Sequence, residues 1–210
     1  MKTSRPIAPI DGDAAIWKSD RSLREPLVVF LHGYGGNEQD WVPYFDLLPE
    51  DVGGVCLRAP VPRGDRWAWV DQHQEGVGLG AFTAAARGVV EWVETLGTRR
   101  IALVGWSQGA AMAIHVARQR PNRFDAVAMG GGFVWERRAH TALETRGLPV
   151  WFGIGSEDDV IPKPMVESAR RFLEATTEAE LRTYAGERHE LSAGIAADAI
   201  AFALRHLDRN

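Results

Sequence analysis

Short runs of consecutive apolar residues alternate along this chain with longer stretches in which apolar side chains recur every three to four positions. The run at 26–31 (Pro-Leu-Val-Val-Phe-Leu) is rich in β-branched and aromatic residues, the signature of a strand buried on both faces. Similar or weaker runs at 53–57, 100–105, 125–129, 148–154 and 180–184 predict five more strands, and 14–18 an extra edge strand. Helical spacing fills the intervals. It predicts a helix over 80–96, with Val89, Trp92, Val93 and Leu96 on one face, and an Ala-rich helix over 108–118. A third is predicted over 164–175, with Val166, Ala169 and Phe172 aligned. A fourth, over 192–207, carries Ile195, Ala199, Phe202 and Leu207. Pro162 and Pro164 sit where a helix start tolerates proline, and Ser192 is placed to cap the last helix. Strands alternating with helices predict an α/β fold with a mostly parallel central sheet. With no internal repeat or low-complexity linker, residues 1–210 are expected to form a single domain.

Composition narrows the class. Hydrophobic residues are 45% and charged residues 25% of 210, a globular balance that excludes a disordered chain, a collagen-like chain and a small disulfide scaffold. Lys+Arg total 24 against 28 Asp+Glu, a net charge of -4 without a basic block, so nucleic acid is not an expected partner. The basic pairs Arg137-Arg138 and Arg170-Arg171 read as solvated helix faces. One cysteine, Cys56, cannot form an internal disulfide. The N-terminal Met-Lys-Thr-Ser-Arg-Pro has no apolar core of a signal peptide, and no stretch approaches the length of a membrane span. A cytoplasmic protein is the expectation. A homodimer is compatible with such a chain.

The densest chemical signal is Gly105-Trp106-Ser107-Gln108-Gly109. The G-x-S-x-G pattern alone is short, but here it follows an apolar strand and opens an Ala-rich helix. That setting defines a nucleophile elbow. Small residues flank the serine because strand and helix must approach closely there, and Gly105, Gly109, Ala110 and Ala111 meet that need. The turn lifts the serine hydroxyl above the sheet, beside backbone N–H groups at a helix N-terminus that can stabilise an oxyanion. The competing interpretation is a Gly-rich turn whose serine merely caps the helix.

Serine needs an adjacent base, and in α/β-hydrolases the partners follow in the order Ser, Asp/Glu, His. Of six histidines, His189 and His206 lie downstream with room for an acid between. His206 falls inside the last predicted helix, whereas His189 lies in the polar turn Gly186-Glu187-Arg188-His189-Glu190 after the last strand. His189 is therefore the expected general base. Glu157, Asp158 and Asp159 follow the strand at 148–154, and spacing does not choose among them.

The segments around 31–40, 105–113, 155–162 and 186–191 together resemble the phospholipase/carboxylesterase family of α/β-hydrolases, which includes acyl-protein thioesterases and small bacterial carboxylesterases. The resemblance spans most of the chain. It implies an α/β-hydrolase fold with helices on both faces of the sheet. It places the catalytic aspartate at Asp158, with Asp159 where a proline is common. It also implies an oxyanion hole from the backbone N–H groups of Tyr34 and Gln108, and a Pro-rich loop at the site mouth where Trp67 and Trp69 stand. These tryptophans, with Phe133 after the Gly130-Gly131-Gly132 run, are candidates to wall a substrate pocket. His32 precedes the nucleophile and is expected to tie down its loop.

Cys56 lies in a strand pattern without an elbow, and reads as a buried residue rather than a nucleophile. No metal-ligand spacing and no nucleotide-binding glycine motif occurs, so no metal and no cofactor are expected. The expected function is a carboxylesterase acting on a small-molecule ester through Ser107, His189 and Asp158, by way of an acyl-enzyme. The alternative within this chemistry is an acyl-protein thioesterase or lysophospholipase acting on longer acyl chains, although no basic amphipathic helix favours it. An α/β-hydrolase-fold ligand-binding protein without catalysis is a remote alternative, because all three relay residues are present.

Overall fold

Residues 7–18, 26–71, 78–135 and 147–208 are described by the computed structural model; the Arg137-Arg138 pair lies outside them. The apolar run after Pro26 becomes β2 (Leu27–Leu31), buried at every position. It follows a two-residue β1 (Ile16–Trp17), shorter than the pattern suggested. The other core strands are β3 (Gly53–Leu57), β6 (Ile101–Trp106), β7 (Ala126–Gly130) and β8 (Pro149–Gly155). The last strand, β9 (Glu178–Tyr184), starts two residues before the expected position. It pairs with β8 alone, and its charged, largely exposed residues carry no apolar signal at their start.

The strand order is β1-β3-β2-β6-β7-β8-β9, parallel throughout except for β1 at one edge. Alternate residues of each strand feed two separate cores. Leu27, Val29, Leu31, Leu103, Val127 and Phe152 face α1 (Leu79–Glu94), α2 (Gln108–Gln119) and α3 (Lys163–Thr176). Val28, Phe30, Val104, Ala128 and Trp151 face α4 (Ala193–Leu207) and a 3-10 helix (Val42–Leu47). Helices thus cover both faces, which is why the strands are apolar without alternation.

Two elements escaped the sequence pattern. One is the 3-10 helix at Val42–Leu47, whose only buried residue is Phe45. The other is the hairpin β4 (Val61–Arg63) and β5 (Arg66–Ala68), turning at Gly64 with φ 69°. Pro62 and two arginines disguise its three-residue strands.

Chain direction creates the place for a site. From β2 the chain passes to β3 on one side, then returns to β6 on the other. Beyond the C-terminal ends of β2 and β6 the connections diverge, leaving the crevice in which open α/β sheets bind ligands. The glycine turn after β2 and the serine after β6 both open into it.

Ser192 accepts a hydrogen bond from the Ile195 N–H and caps α4 as expected. Its hydroxyl also donates to Glu187 (2.6 Å), joining the helix to the preceding loop. Ser192→Ala is expected to lower stability by about 1 kcal/mol, read by urea unfolding; an unchanged midpoint would remove the cap from this account.

Candidate active site

Ser107 is held in a conformation that ordinary residues avoid. Its φ is 53° and ψ -116°, and among the described residues it is the one non-glycine with positive φ. Strain of this kind persists only where the surroundings over-determine it. Here a Cβ at Gly105 would collide with the Gly109 carbonyl, and one at Gly109 with the carbonyls of Leu31 and His32. The first turn of α2 therefore lies against the ends of both β6 and β2. The Ser107 N–H donates to the Gly130 carbonyl (2.8 Å), while its own carbonyl accepts from Ala110 and Ala111 (3.0 and 3.2 Å). Its side chain makes no cap bond to the helix, which removes the capping interpretation.

The hydroxyl turns instead to His189. Ser107 Oγ–H donates to His189 Nε2 at 3.0 Å, and His189 Nδ1–H donates to Asp158 Oδ2 at 2.7 Å. The carboxylate can only accept, so the imidazole proton sits on Nδ1 and the Nε2 lone pair faces the serine. Asp158 is fixed from its other oxygen, where Oδ1 accepts from the N–H groups of Val160 (3.0 Å) and Ile161 (2.9 Å). Its side chain is 2% exposed and that of His189 12%, so water competes little for these bonds.

The neighbouring acids do other things. Asp159 is 60% exposed and bonds Arg188 at 2.5 Å, and that guanidinium holds its carboxyl below the usual range. Glu157 contributes its backbone N–H to the Glu187 carbonyl (2.9 Å). The acid loop and the base loop are thus paired at three successive residues, and Asp158 alone of the three carboxylates reaches the imidazole. Gly155 allows this pairing, since a Cβ there would collide with the Glu187 carbonyl. From the other side, Tyr44 OH donates to the Leu191 carbonyl (3.0 Å), supporting the base loop on the 3-10 helix.

Tyr34 lies in the turn after β2, beside the elbow: a Cβ at the preceding Gly33 would sit 3.4 Å from Ser107 Cβ. Gln108 is the first residue of α2. Its backbone is thus at the elbow, and its side chain is buried among main-chain groups of the loop at 69–70. His32 Nδ1–H donates to the Gly33 carbonyl (2.8 Å), and Nε2 accepts the Ala59 N–H (3.1 Å). Burial holds its pKa below 6.5, opposed by the Gly33 bond. His32 therefore stands as a neutral strut under the turn.

The suggested pocket walls are placed differently from one another. Trp69 is 0% exposed, and its Nε1–H donates to the His32 carbonyl (2.8 Å). Phe133 is likewise buried, tilted against Trp135. Trp67 is half-buried, with the Arg58 guanidinium 4.9 Å above its ring. Arg58 in turn holds Glu38 through two hydrogen bonds, at 2.9 and 2.5 Å. Trp106 was not anticipated. Its ring lies 5.1 Å from the His189 ring, over Gly130 and Gly131, which leave room for it. The variable position of the serine motif was the only signal of it. Cys56 is buried in β3 and burial pushes its thiol up, so it is no nucleophile. Among the described residues no His, Cys, Asp and Glu cluster could hold a metal ion, and no helix is long and apolar enough to cross a membrane.

The family model for phospholipases and carboxylesterases matches residues 82–207. Acyl-protein thioesterase 1 of Eremothecium gossypii is 24% identical over 205 residues, covering 86% of this chain and 87% of that protein. The fold is shared with a Bacillus cereus carboxylesterase (TM-score 0.76, 18% identity, 91% of this chain and 93% of that one). It is shared as well with Zea mays acyl-protein thioesterase 2 (TM-score 0.75, 18% identity, 92% and 98%).

Two stability predictions test the placement of these groups. Gly109→Ala is expected to lose about 1–3 kcal/mol or more, because backbone rather than a flexible side chain blocks the methyl. Gly80→Ala on α1, where a Cβ meets nothing within 4 Å, is expected to be neutral or stabilising by about 0.5–1 kcal/mol. Equal effects in urea unfolding would refute the close approach. For His32, the unfolded chain takes up a proton below about pH 6.5 while the folded site resists it. Its contribution is therefore full above that pH and declines as pH falls toward the folded value. His32→Gln is expected to flatten the acid side of the urea-midpoint profile; an unchanged slope would remove His32 from it.

Proposed function

The chain belongs to the phospholipase/carboxylesterase family of α/β-hydrolases, and from that premise we propose that it cleaves carboxylic esters through Ser107, His189 and Asp158. The observation that carries this reading is the continuous relay of 3.0 and 2.7 Å hydrogen bonds from hydroxyl to imidazole to carboxylate. Three loops distant in sequence supply it.

In this mechanism Ser107 Oγ attacks the acyl carbonyl as its proton passes to His189 Nε2. Asp158 holds the imidazole in the competent tautomer and stabilises the cation that forms. The carbonyl oxygen becomes an oxyanion, received by the Tyr34 and Gln108 N–H groups. His189 then returns the proton to the departing alcohol oxygen, leaving an acyl-serine. Water, deprotonated by the same Nε2, attacks that ester and releases the carboxylic acid with Ser107 restored. Every proton is accounted for by one imidazole, and no metal or organic cofactor enters.

A thioester is the second reading. It needs the same attack and a thiolate in place of the alkoxide, and acyl-protein thioesterases stand among the relatives. A panel of esters and thioesters graded by acyl length distinguishes the two.

Ser107→Ala is expected to lower turnover of a p-nitrophenyl ester by about 10⁶-fold and to abolish fluorophosphonate labelling. Wild-type rates in that variant would end the proposal, and failure of the wild type to label would favour a ligand-binding protein. Asp158→Asn is expected to lower kcat by about 10⁴-fold, whereas Asp159→Asn breaks only an exposed ion pair and changes kcat within about threefold. The reverse ranking would reassign the acid.

A further inference from the structure

The two N–H groups assigned to the oxyanion sit on different chain segments, Tyr34 after β2 and Gln108 at the start of α2. They help only if both aim at one point, each about 2.7–3.1 Å from the oxygen. A misplacement of about 1 Å can cost about 10²-fold in rate. Some part of the molecule must therefore fix their separation.

Segment 67–71 bonds to both. Toward the Tyr34 side, Gly35 N–H donates to the Trp67 carbonyl and Trp67 N–H to the Gly36 carbonyl, both at 2.9 Å. Trp69 Nε1–H donates to the His32 carbonyl (2.8 Å), and Tyr34 OH donates to Asp71 Oδ1 (3.3 Å). Arg63 holds the other Asp71 oxygen at 2.7 Å, and its guanidinium lies 5.5 Å from the Tyr34 ring centre. Toward the other side, Gln108 Oε1 accepts the Trp69 N–H (2.8 Å), and its Nε2 donates to the Val70 carbonyl (2.9 Å). The carboxamide pairs with the segment as a strand would, using donor and acceptor together. Gln108 is 1% exposed, so no water replaces a lost bond cheaply.

We propose that segment 67–71 is a clamp that sets the distance between the two oxyanion donors, with the Gln108 carboxamide and the Asp71 carboxylate as its positioning groups. The inference rests on the ester-hydrolase reading. It gives Gln108 two separable tasks: its backbone N–H meets the oxyanion, and its side chain aims that N–H relative to Tyr34. Glutamine suits the second task because glutamate has no donor for the Val70 carbonyl and methionine offers neither bond.

The test compares purified full-length wild type with Gln108→Glu, Asp71→Ala, Asp71→Asn and Tyr34→Phe, each checked for folding by thermal unfolding. Substrate is a p-nitrophenyl ester, and a trifluoromethyl ketone serves as inhibitor, because its serine adduct carries the oxyanion. Gln108→Glu is expected to lower kcat about tenfold or more with KM within about twofold, the signature of a lost transition-state interaction. Asp71→Ala and Tyr34→Phe are expected to lower kcat about three- to tenfold. Their double variant is expected to be no worse than Asp71→Ala, because the two share one bond. Asp71→Asn keeps an acceptor for the Tyr34 hydroxyl and is expected to recover most of the loss. Ketone inhibition is expected to weaken in step with kcat.

If the folded variants keep kcat within twofold, or lose it while ketone affinity is unchanged, the clamp is wrong. If Gln108→Glu fails to fold, the Asp71 and Tyr34 variants decide alone. A Ser107→Ala enzyme of wild-type activity would instead overturn the reading beneath the clamp.

Discussion

The site depends on one close approach of backbone to backbone. The first turn of α2 packs so tightly on the ends of β2 and β6 that neither Gly105 nor Gly109 has room for a methyl group. That contact forces Ser107 to φ 53° and holds its hydroxyl away from the helix it begins. The interaction is repulsive at root: excluded volume leaves the chain one route through the turn. Attractive terms then hold what sterics selected, including the Gly130 bond to the serine N–H and the imidazole bond to its oxygen.

Around that turn, the polar groups divide the work by burial. Asp158 is buried and bonded through both oxygens, so its orientation is set by the fold. Asp159, one residue on, faces water and serves only a surface ion pair with Arg188. His32 and His189 show the same division among imidazoles. His32 spends both nitrogens on backbone groups, the Gly33 carbonyl of its own turn and the Ala59 N–H after β3, whereas His189 keeps one nitrogen toward the serine. Residue type is identical in each pair, and the environment assigns the task.

Much of this was legible in the chain. Strands buried on both faces leave continuous apolar runs, and the elbow leaves small residues around a serine, so the central sheet and Ser107 were readable from pattern. The order of serine, acid and histidine left His189 and His206, and the polar turn around His189, against the helical setting of His206, selected between them. Choosing among three adjacent carboxylates was beyond spacing, because the choice lies in side-chain direction. Asp158 points inward through a local turn in which its own side chain accepts two downstream N–H groups. Trp69 was a candidate pocket wall because it stands in the Pro-rich loop that the resemblance places at the site mouth. In the fold its indole N–H is spent on the His32 carbonyl, a tertiary bond with no local signature. The β4–β5 hairpin and the 3-10 helix bury too few side chains to mark the sequence, yet both brace the site.

The strand order carries a consequence for the chain as it is made. The elbow and the glycine turn belong to β6 and β2 in the middle of the sheet, whereas the histidine follows β9 at its margin. Translation delivers the hydroxyl and both donor segments first and the imidazole last. On the proposed chemistry a nascent polypeptide carries its acyl acceptor in an inert form, and reactivity switches on only when the outermost strand docks.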